Sequence, residues 1–185
     1  MLAFDFDDQK VDDLAKDLDA TPKQVKMSMG RAVKRTAGTI RRMSSTGLRT
    51  ELGLKNATAL RRRIKEYRVG KGNSSIKLWY GANDLPLSAF PGRAKAVQGG
   101  VKFGDTMIHG GFVAKVKNRR AVYVRTGKGR WDFREASLPV GDRIMIFLED
   151  EVFVDIDAIL WKHFQTELRA RTVLGIHSSK MGVRW

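Results

Sequence analysis

Two aspartates near the start of the chain, Asp5 and Asp7, have the spacing of a phosphate-transfer nucleophile and its acid partner. That chemistry requires an apolar strand before the first aspartate, to hold the carboxylate at the edge of a sheet. Only four residues precede Asp5, so we interpret the pair as the acidic start of a helix, where carboxylates interact favourably with the helix dipole. The aspartates also lack the glycine and terminal glutamate of a calcium loop.

The other residues that could carry chemistry are isolated from one another. His109, His163 and His177 lie far apart and lack the spacing of a metal site, so we expect packed or surface histidines. Residues 125–130, Arg-Thr-Gly-Lys-Gly-Arg, lack the spacing of a phosphate-binding loop and are interpreted as a basic hairpin tip. No serine lies in a Gly-x-Ser-x-Gly elbow. The chain has no cysteine, which excludes thiolate catalysis, disulfides and cysteine-ligated metals. We therefore expect a protein that is not an enzyme and has no catalytic residue, metal site or cofactor.

Charge is the strongest signal in the sequence. The 185 residues include 35 Lys and Arg against 20 Asp and Glu, which gives a net charge of +15 and a pI near 10.4. The sign alternates along the chain: −5 over residues 1–20, +14 over 21–80, +8 over 81–130, −6 over 131–160 and +4 over 161–185. Such an excess favours a polyanion, or a partner surface of opposite charge, as a neighbour. The two acidic blocks favour a subunit that docks on copies of itself.

Apolar periodicity predicts helices in the first third of the chain. A short amphipathic helix is expected over residues 9–20. The dipeptide Thr21-Pro22 is typical of a helix start and begins a long helix that we expect to end at Gly47. A short basic helix, capped near Asn56, is expected over residues 57–66. The apolar stripe of the long helix consists of Val25, Met29, Val33, Ala37, Ile40 and Met43.

The middle of the chain is β-prone and rich in glycine. Residues 67–69 and 75–80 flank Gly-Lys-Gly-Asn at residues 70–73, which predicts a hairpin. Further short strands are expected over residues 96–103, 106–117, 120–126, 131–135 and 144–147.

The apolar residues Ile156, Ile159, Leu160, Phe164 and Leu168 have the spacing of a C-terminal helix. The order of helices, strands and helix predicts an α+β fold, with N-terminal helices, a central antiparallel β-sheet with Gly-rich loops, and a C-terminal helix. We expect a helical region over residues 1–66, a β region over 67–148 and a C-terminal helix and tail over 149–185, folded as one domain.

Two features bear on where the protein works. No apolar run approaches the 18 residues of a membrane span, so no membrane partner is expected. The first eight residues are acidic, where a secretory signal is basic and then apolar. We therefore expect assembly in a reducing cytoplasm, which also suits the cysteine-free composition.

Basic residues of two segments, expected on two neighbouring helices, are the candidate functional residues. One interpretation is phosphate contact, which gives salt-dependent binding that ignores base sequence. The other is pairing with acidic residues of adjacent subunits, namely Asp12, Asp13, Glu149, Asp150 and Glu151. Few aromatic residues interleave with these charges, so we expect no exposed base-stacking platform. The candidates are Arg35, Arg41, Arg42, Arg61, Arg62, Arg63, Lys65 and Arg68.

Four stretches carry a resemblance to a known family. The long helix is followed by Leu-Arg-Arg-Arg-Ile-Lys at residues 60–65, and residues 110–128 read Gly-Gly-Phe-Val-Ala-Lys-Val-Lys-Asn-Arg-Arg-Ala-Val-Tyr-Val-Arg-Thr-Gly-Lys. Pro-Leu-Ser-Ala-Phe at residues 86–90 precedes the second stretch and Leu-Pro-Val at 138–140 follows it. Over residues 22–174, the chain resembles the prophage minor tail protein Z family of tailed bacteriophages and, more loosely, other head–tail joining and tail completion proteins.

The resemblance implies an α+β structural subunit that acts at the head-proximal end of a phage tail or neck and helps to join head and tail. Its implied partners are copies of itself in a ring, with six as the expected number, and tail terminator, tail tube or head-connector proteins. DNA passing through the ring would be within reach of phosphate contacts. The implied location is the virion, and no catalytic residues carry over. The alternative function is that of a sequence-nonspecific nucleic-acid-binding protein.

Overall fold

The structure of the protein is a computed structural model that describes residues 8–69 and 75–175. Asp5, Asp7, His177 and the predicted turn at residues 70–73 lie outside the described residues. The chain divides into two compact units, which are discontinuous in sequence. The helical unit comprises Met1–Ser44, Lys65–Trp79 and Leu148–Trp185, and the β unit comprises Ser45–Ile64 and Tyr80–Phe147.

Mixed helices and antiparallel sheets confirm the predicted α+β class. The helices are α1 (Asp8–Asp17), α2 (Pro22–Glu51), α3 (Thr58–Arg61), α4 (Gly141–Phe147) and α5 (Ile156–Thr172), with a 3₁₀ turn at Leu87–Ala89 and a π segment at Leu148–Phe153. The strands are β1 (Ile64–Val69), β2 (Ser75–Tyr80), β3 (Leu85–Pro86), β4 (Ala94–Val97), β5 (Gly100–Phe103), β6 (Thr106–His109), β7 (Gly111–Val116), β8 (Arg119–Arg125), β9 (Phe133–Glu135) and β10 (Ser137–Leu138).

A reciprocal capping box begins α2. The Thr21 hydroxyl accepts the backbone N–H of Gln24 at 3.3 Å, and the Gln24 side-chain oxygen accepts the backbone N–H of Thr21 at 2.8 Å. Two backbone donors that a helix start leaves unpaired are thereby satisfied. Pro22 loses nothing at the first helical position because its missing N–H would have had no partner there. The predicted start of the long helix is therefore confirmed.

The prediction that this helix ends at Gly47 is wrong, because α2 continues to Glu51. The chain turns instead at Gly53, whose φ of +63° is the left-handed conformation that often ends helices. Gly47 serves a different purpose. A Cβ there would lie 2.3 Å from Cζ of Phe147, so glycine lets the aromatic ring approach the helix backbone.

The helical unit buries α1, α2 and α5 against one another. Its core cluster is Val11, Ala32, Leu160, Phe164 and Leu168, with Val25, Met29 and Val33 of the predicted stripe packed at its margin. The buried side of α2 includes Ala37 and Ile40 of that stripe and also three hydroxyl side chains that the stripe does not contain. There Ser28 and Ser44 have no exposed surface and Thr36 is buried. Sequence periodicity missed these positions because it scores hydroxyl side chains as polar.

Within residues 8–69 and 75–175, the strands form four separate small sheets, where the sequence predicted one central sheet. The strand orders are β1–β2, β3–β10, β4–β5–β6 and β7–β8–β9. In the β unit, the inner faces of the two three-stranded sheets share a core of Leu87, Val101, Val122 and Ala136. Short strands separated by glycine turns cannot extend one continuous ladder, so each group of strands closes on its own.

Four element assignments from the sequence are corrected by the structure. The expected strand over residues 96–103 is interrupted by a turn and belongs to β4 and β5, and the expected strand over residues 106–117 is divided into β6 and β7. The expected helix over residues 57–66 is the single turn α3, and β1 already begins at Ile64. The expected strand over residues 144–147 is helical, within α4. Ile144 is buried whereas Met145 and Ile146 are exposed, which is a helical pattern rather than a strand alternation. The next buried residues, Leu148 and Val152, continue that spacing of four.

Within residues 8–69 and 75–175, no helix is long and apolar enough to cross a bilayer. The same part of the chain holds no group of three metal-ligating side chains.

Candidate interaction surfaces

The sequence predicted that the candidate basic residues lie on two neighbouring helices, but only some of them do. Arg35, Arg41 and Arg42 belong to α2, but Lys65 and Arg68 lie in strand β1. The candidates also divide between the two units. Arg35, Arg41, Arg42, Lys65 and Arg68 fall in the helical unit, and Arg61, Arg62 and Arg63 fall in the β unit.

Arg35 is engaged inside the helical unit. Its Nη1 lies 2.8 Å from Oε1 of Glu167, a residue only 8% exposed, and Arg31 lies 3.8 Å from the other oxygen of that carboxylate. Thr36, the next residue on α2, has its hydroxyl 3.1 Å from Nδ1 of His163. A buried carboxylate needs such partners, so Arg35 stabilises the contact between α2 and α5 and offers less charge to an outside ligand.

His163 lies between cationic groups of both helices. Burial lowers the pKa of His163 below its ordinary value of 6.5, and the neighbouring charges of Arg35 and Lys162 lower it further, whereas Glu167 acts in the opposite direction. The imidazole is therefore neutral in the folded state at pH 7, as a packed residue of the α2–α5 contact. The sequence predicted a packed or surface histidine at this position.

Arg63 is also engaged inside its own unit. Its guanidinium donates to the backbone carbonyl oxygens of Asn83 and of Asp84, the latter at 2.6 Å. Its own carbonyl accepts the N–H of Gly81 at 2.8 Å. These three hydrogen bonds tie the chain between β2 and β3 to Arg63, which lies just after the end of α3. Arg63 therefore holds residues 81–84 in place.

Four of the candidates are exposed and unpaired. Arg41, Arg42, Arg61 and Arg62 are exposed and form no hydrogen bond or ion pair with any other residue in the described ranges 8–69 and 75–175. They are available to a ligand or a partner. Lys65 is also exposed, but its ammonium already has a cation–π contact, 5.4 Å from the ring centre of Trp79. For Arg68, the structure describes the backbone in β1 only.

Exposed carboxylates are concentrated in the helical unit. Glu149, Asp150 and Glu151 are all exposed on the π segment, where Leu148 and Val152 are the buried residues. The three carboxylates have no partner within the part of the chain that the structure describes. Val154, directly after the segment, is 71% exposed. We call the surface formed by residues 149–151 and Val154 the acidic surface.

The two units differ in charge. The β unit contains 17 basic and 6 acidic residues, a net charge of +11, whereas the helical unit contains 18 basic and 14 acidic residues, a net charge of +4. The alternating charge blocks of the sequence therefore fold into one strongly cationic unit and one unit of mixed charge.

Sequence reasoning missed an aromatic and basic cluster in the β unit. Phe112, Tyr123 and Phe133 come from β7, β8 and β9 and pack on one face of that sheet, with ring centres 5.2–6.2 Å apart. The guanidinium of Arg125 lies 5.5 Å from the centre of the Phe112 ring. The sequence shows that Tyr123 and Arg125 alternate along β8 and so share a face. It does not show that Arg125 pairs with Phe133 of the neighbouring strand.

The loop between β8 and β9 extends this cluster to the surface. We call residues 126–132 the Trp131 loop. Trp131 is 72% exposed, lies 6.2 Å from the ring of Phe133, and has the guanidinium of Arg130 at 5.3 Å from its own ring centre. This exposed aromatic group accompanies basic residues other than the candidates of the sequence analysis, so the expectation about those candidates does not bear on it. Lys128 and Arg134 are also exposed here.

The described residues also include an open apolar groove in the helical unit. Its volume is about 430 Å³, and Ala15, Pro22, Val25 and Met29 form most of its apolar lining, with Asp12 and Lys26 at its polar side. No titratable cluster that could act on a substrate opens into it.

Comparisons of the chain with protein-family models, with curated protein sequences and with solved structures give no match.

Proposed function

We propose that this chain is a structural minor tail protein of a tailed bacteriophage, a tail-completion subunit that forms a ring at the head-proximal end of the tail and helps to join head and tail. The ring is built from identical copies, with six as the expected number. Its further partners are tail terminator, tail tube or head-connector proteins. The protein has no catalytic task, and its location is the virion.

The observation that carries this proposal is the presence of unpaired charges of both signs on one chain. Arg61 and Arg62 are exposed and unpaired in the cationic unit, and Glu149, Asp150 and Glu151 are exposed and unpaired in the other. A chain with two different complementary surfaces associates head to tail, and such a contact forms a ring when the rotation closes. The resemblance over residues 22–174 supports the same function independently.

The alternative is a sequence-nonspecific nucleic-acid-binding protein. The net charge of +11 on the β unit and the unpaired Arg41 and Arg42 favour it, because unpaired cations neutralise phosphates. The exposed carboxylates of the π segment count against it, since they repel a polyanion. In a ring, these two properties are compatible, because acidic surfaces are covered at subunit contacts and cations near the channel face the DNA.

Genetics and electron microscopy test the proposal directly. We expect mass spectrometry to find the chain in virions released by cells that carry its gene. A stop codon early in the gene should yield full heads and free tails that fail to join, and the gene supplied from a plasmid should restore infectious particles. Neighbouring genes for tail tube, terminator or head-joining proteins would add support. Virions that lack the chain, together with normal infectivity without the gene, would overturn the proposal.

The same complementation assay separates the two roles of the arginines. Arg61→Glu/Arg62→Glu changes only unpaired side chains, whereas a variant that includes Arg63 would also break its two carbonyl contacts. Loss of ring formation in this variant assigns the pair to the subunit interface. Rings that form normally but lose binding to a DNA duplex assign it to phosphate contact. Arg41→Glu/Arg42→Glu is the matched variant in the helical unit.

A further inference from the structure

Hydrogen bonds from Arg125 and to Asp132 shape the backbone of the Trp131 loop on both sides of its tryptophan. Nη1 of Arg125 donates to the carbonyl oxygens of Gly129 at 3.0 Å and of Arg130 at 3.1 Å. The carboxylate of Asp132 accepts the N–H of Gly129 at 2.9 Å. Each of these bonds restricts the loop backbone, which lowers the conformational entropy that binding a partner would cost.

Two glycines of this loop lie against the side chain of Asp132. A Cβ at Gly127 would lie 2.6 Å from Oδ2 of Asp132, and one at Gly129 would lie 2.7 Å from the same oxygen. The carboxylate therefore packs directly against the loop backbone. The cations of the loop, Lys128 and Arg130, are exposed.

The exposed groups of the loop define the chemistry of its partner. The indole of Trp131 offers a large apolar surface, and Lys128 and Arg130 place two positive charges beside it. Tryptophan and arginine are the residues that most often dominate binding energy at protein interfaces. The loop therefore fits a protein surface that combines an apolar contact with carboxylates.

The chain itself carries such a surface. The acidic surface combines three unpaired carboxylates, on Glu149, Asp150 and Glu151, with the exposed side chain of Val154. Carboxylates match the charges of Lys128 and Arg130, and the valine matches the indole. A nucleic acid would satisfy the cations and stack on Trp131, but it would leave the acidic surface without a partner.

We propose that the Trp131 loop of one subunit docks on the acidic surface of a second copy of this chain. The contact is head to tail, because two Trp131 loops facing each other would bring like charges together. The inference rests on the proposed function and names the contact that would join neighbours in the ring. Each subunit uses its loop for one contact and its acidic surface for another, and a ring forms when such head-to-tail contacts close.

A mixing experiment tests the contact, because a head-to-tail contact uses a different surface on each of the two subunits. The loop variant is Lys128→Ala/Arg130→Ala/Trp131→Ala, which leaves the loop without charges that could pair with the reversed segment, and the segment variant is Glu149→Lys/Asp150→Lys/Glu151→Lys. The altered side chains are exposed, so both variants should keep the circular dichroism spectrum of the unchanged chain. Each variant alone should be a monomer by size exclusion with light scattering. Their mixture should form a 1:1 pair and nothing larger, because each chain retains one functional surface.

Two matched controls show whether the effect is specific. Trp79→Ala removes another partly exposed tryptophan, 43% exposed, that also lies under a cation, Lys65 at 5.4 Å. Asp12→Lys/Asp13→Lys/Asp17→Lys makes the same change of net charge in the other acidic block, on α1. Both controls should assemble as the unchanged chain does. Trp131→Ala alone should weaken association by about 30-fold or more, the usual effect of truncating a central interface tryptophan.

Several results would overturn this contact. An unchanged chain that stays monomeric at high micromolar concentration would do so, as would a Trp131→Ala chain that assembles normally. Loss of assembly on reversing α1, with assembly kept on reversing residues 149–151, would place the contact elsewhere. If the loop variant assembles normally but no longer binds a fluorescent single-stranded oligonucleotide, the loop is a nucleic-acid site instead. None of these results removes the chain from virions, so the proposed function is tested separately.

Discussion

At the scale of single residues, the structure separates arginines that hold the fold from arginines that are available to partners. Arg35 and Arg63 are bound to groups of their own unit, a buried carboxylate and two backbone carbonyls respectively. Arg61 and Arg62 adjoin Arg63 in sequence but have no partner among the described residues. A run of three identical residues thus contains two different roles. Only the surrounding backbone distinguishes them.

The position of His163 predicts how stability depends on pH. Burial, Arg35 and Lys162 lower its pKa in the folded state, so below about pH 6.5 the unfolded chain binds a proton that the folded chain does not. Stability should therefore fall as the pH is lowered from 7.5 to 5, through the window between the unfolded and folded pKa values. Urea unfolding measures the free energy of unfolding at pH 7.5 and at pH 5. The loss between the two pH values should be smaller for His163→Gln than for the unchanged chain. An equal difference in the variant and the unchanged chain would contradict this explanation.

At the scale of elements, two of the three interior glycines of α2, Gly38 and Gly47, have opposite consequences. A Cβ at Gly38 would have no neighbouring atom within 4 Å, whereas a Cβ at Gly47 would meet the ring of Phe147. The helix tolerates both, and their intrinsic cost is similar. What differs is the packing around each one.

Alanine substitutions should therefore act in opposite directions on the free energy of unfolding. Gly38→Ala should raise it by about 0.5–1 kcal/mol, the usual gain for alanine over glycine in a helix. Gly47→Ala should lower it by about 1–3 kcal/mol through overpacking, and adding Phe147→Leu should recover part of that loss. Thermal and urea unfolding measure all three variants. A gain in stability for Gly47→Ala alone would show that the ring moves aside without cost.

At the scale of the whole molecule, charge is distributed unequally between the two units. The β unit has a net charge of +11 and the helical unit has one of +4, because the helical unit contains most of the acidic residues. Within the helical unit, acidic groups lie on α1 and on the π segment, with unpaired arginines on α2. Self-association through such surfaces depends on ionic attraction.

Salt should therefore weaken assembly of the purified chain. Exposed charge pairs are screened as the Debye length falls from about 10 Å at 0.1 M salt to about 3 Å at 1 M. Light scattering should show oligomers at low salt that dissociate as salt is raised, while circular dichroism stays unchanged. Oligomers that strengthen with salt would instead indicate a contact dominated by apolar burial. If the oligomers are held together by bound nucleic acid, nuclease treatment will dissociate them at low salt.

Much of the fold followed from the sequence because local signals determined it. The Thr21-Pro22 start, the periodicity of α1 and α5 and the β-prone, glycine-rich middle each act within a few residues, and the α+β class follows from their order. Where two local signals competed, the prediction failed: Gly47 suggested a helix end, and the apolar run at residues 144–147 suggested a strand. Packing decided both cases.

The sequence by itself determined the amount of charge, its alternation in blocks and the lack of cysteine chemistry, because these depend only on which residues are present. Tertiary structure decided which charges are free. It paired Arg35 with Glu167, 132 residues away, and Arg63 with carbonyls about 20 residues away. It also brought Phe112, Tyr123 and Phe133 together through strand register and placed Trp131 beside them. Such contacts depend on distances across the folded chain, which composition and spacing do not contain.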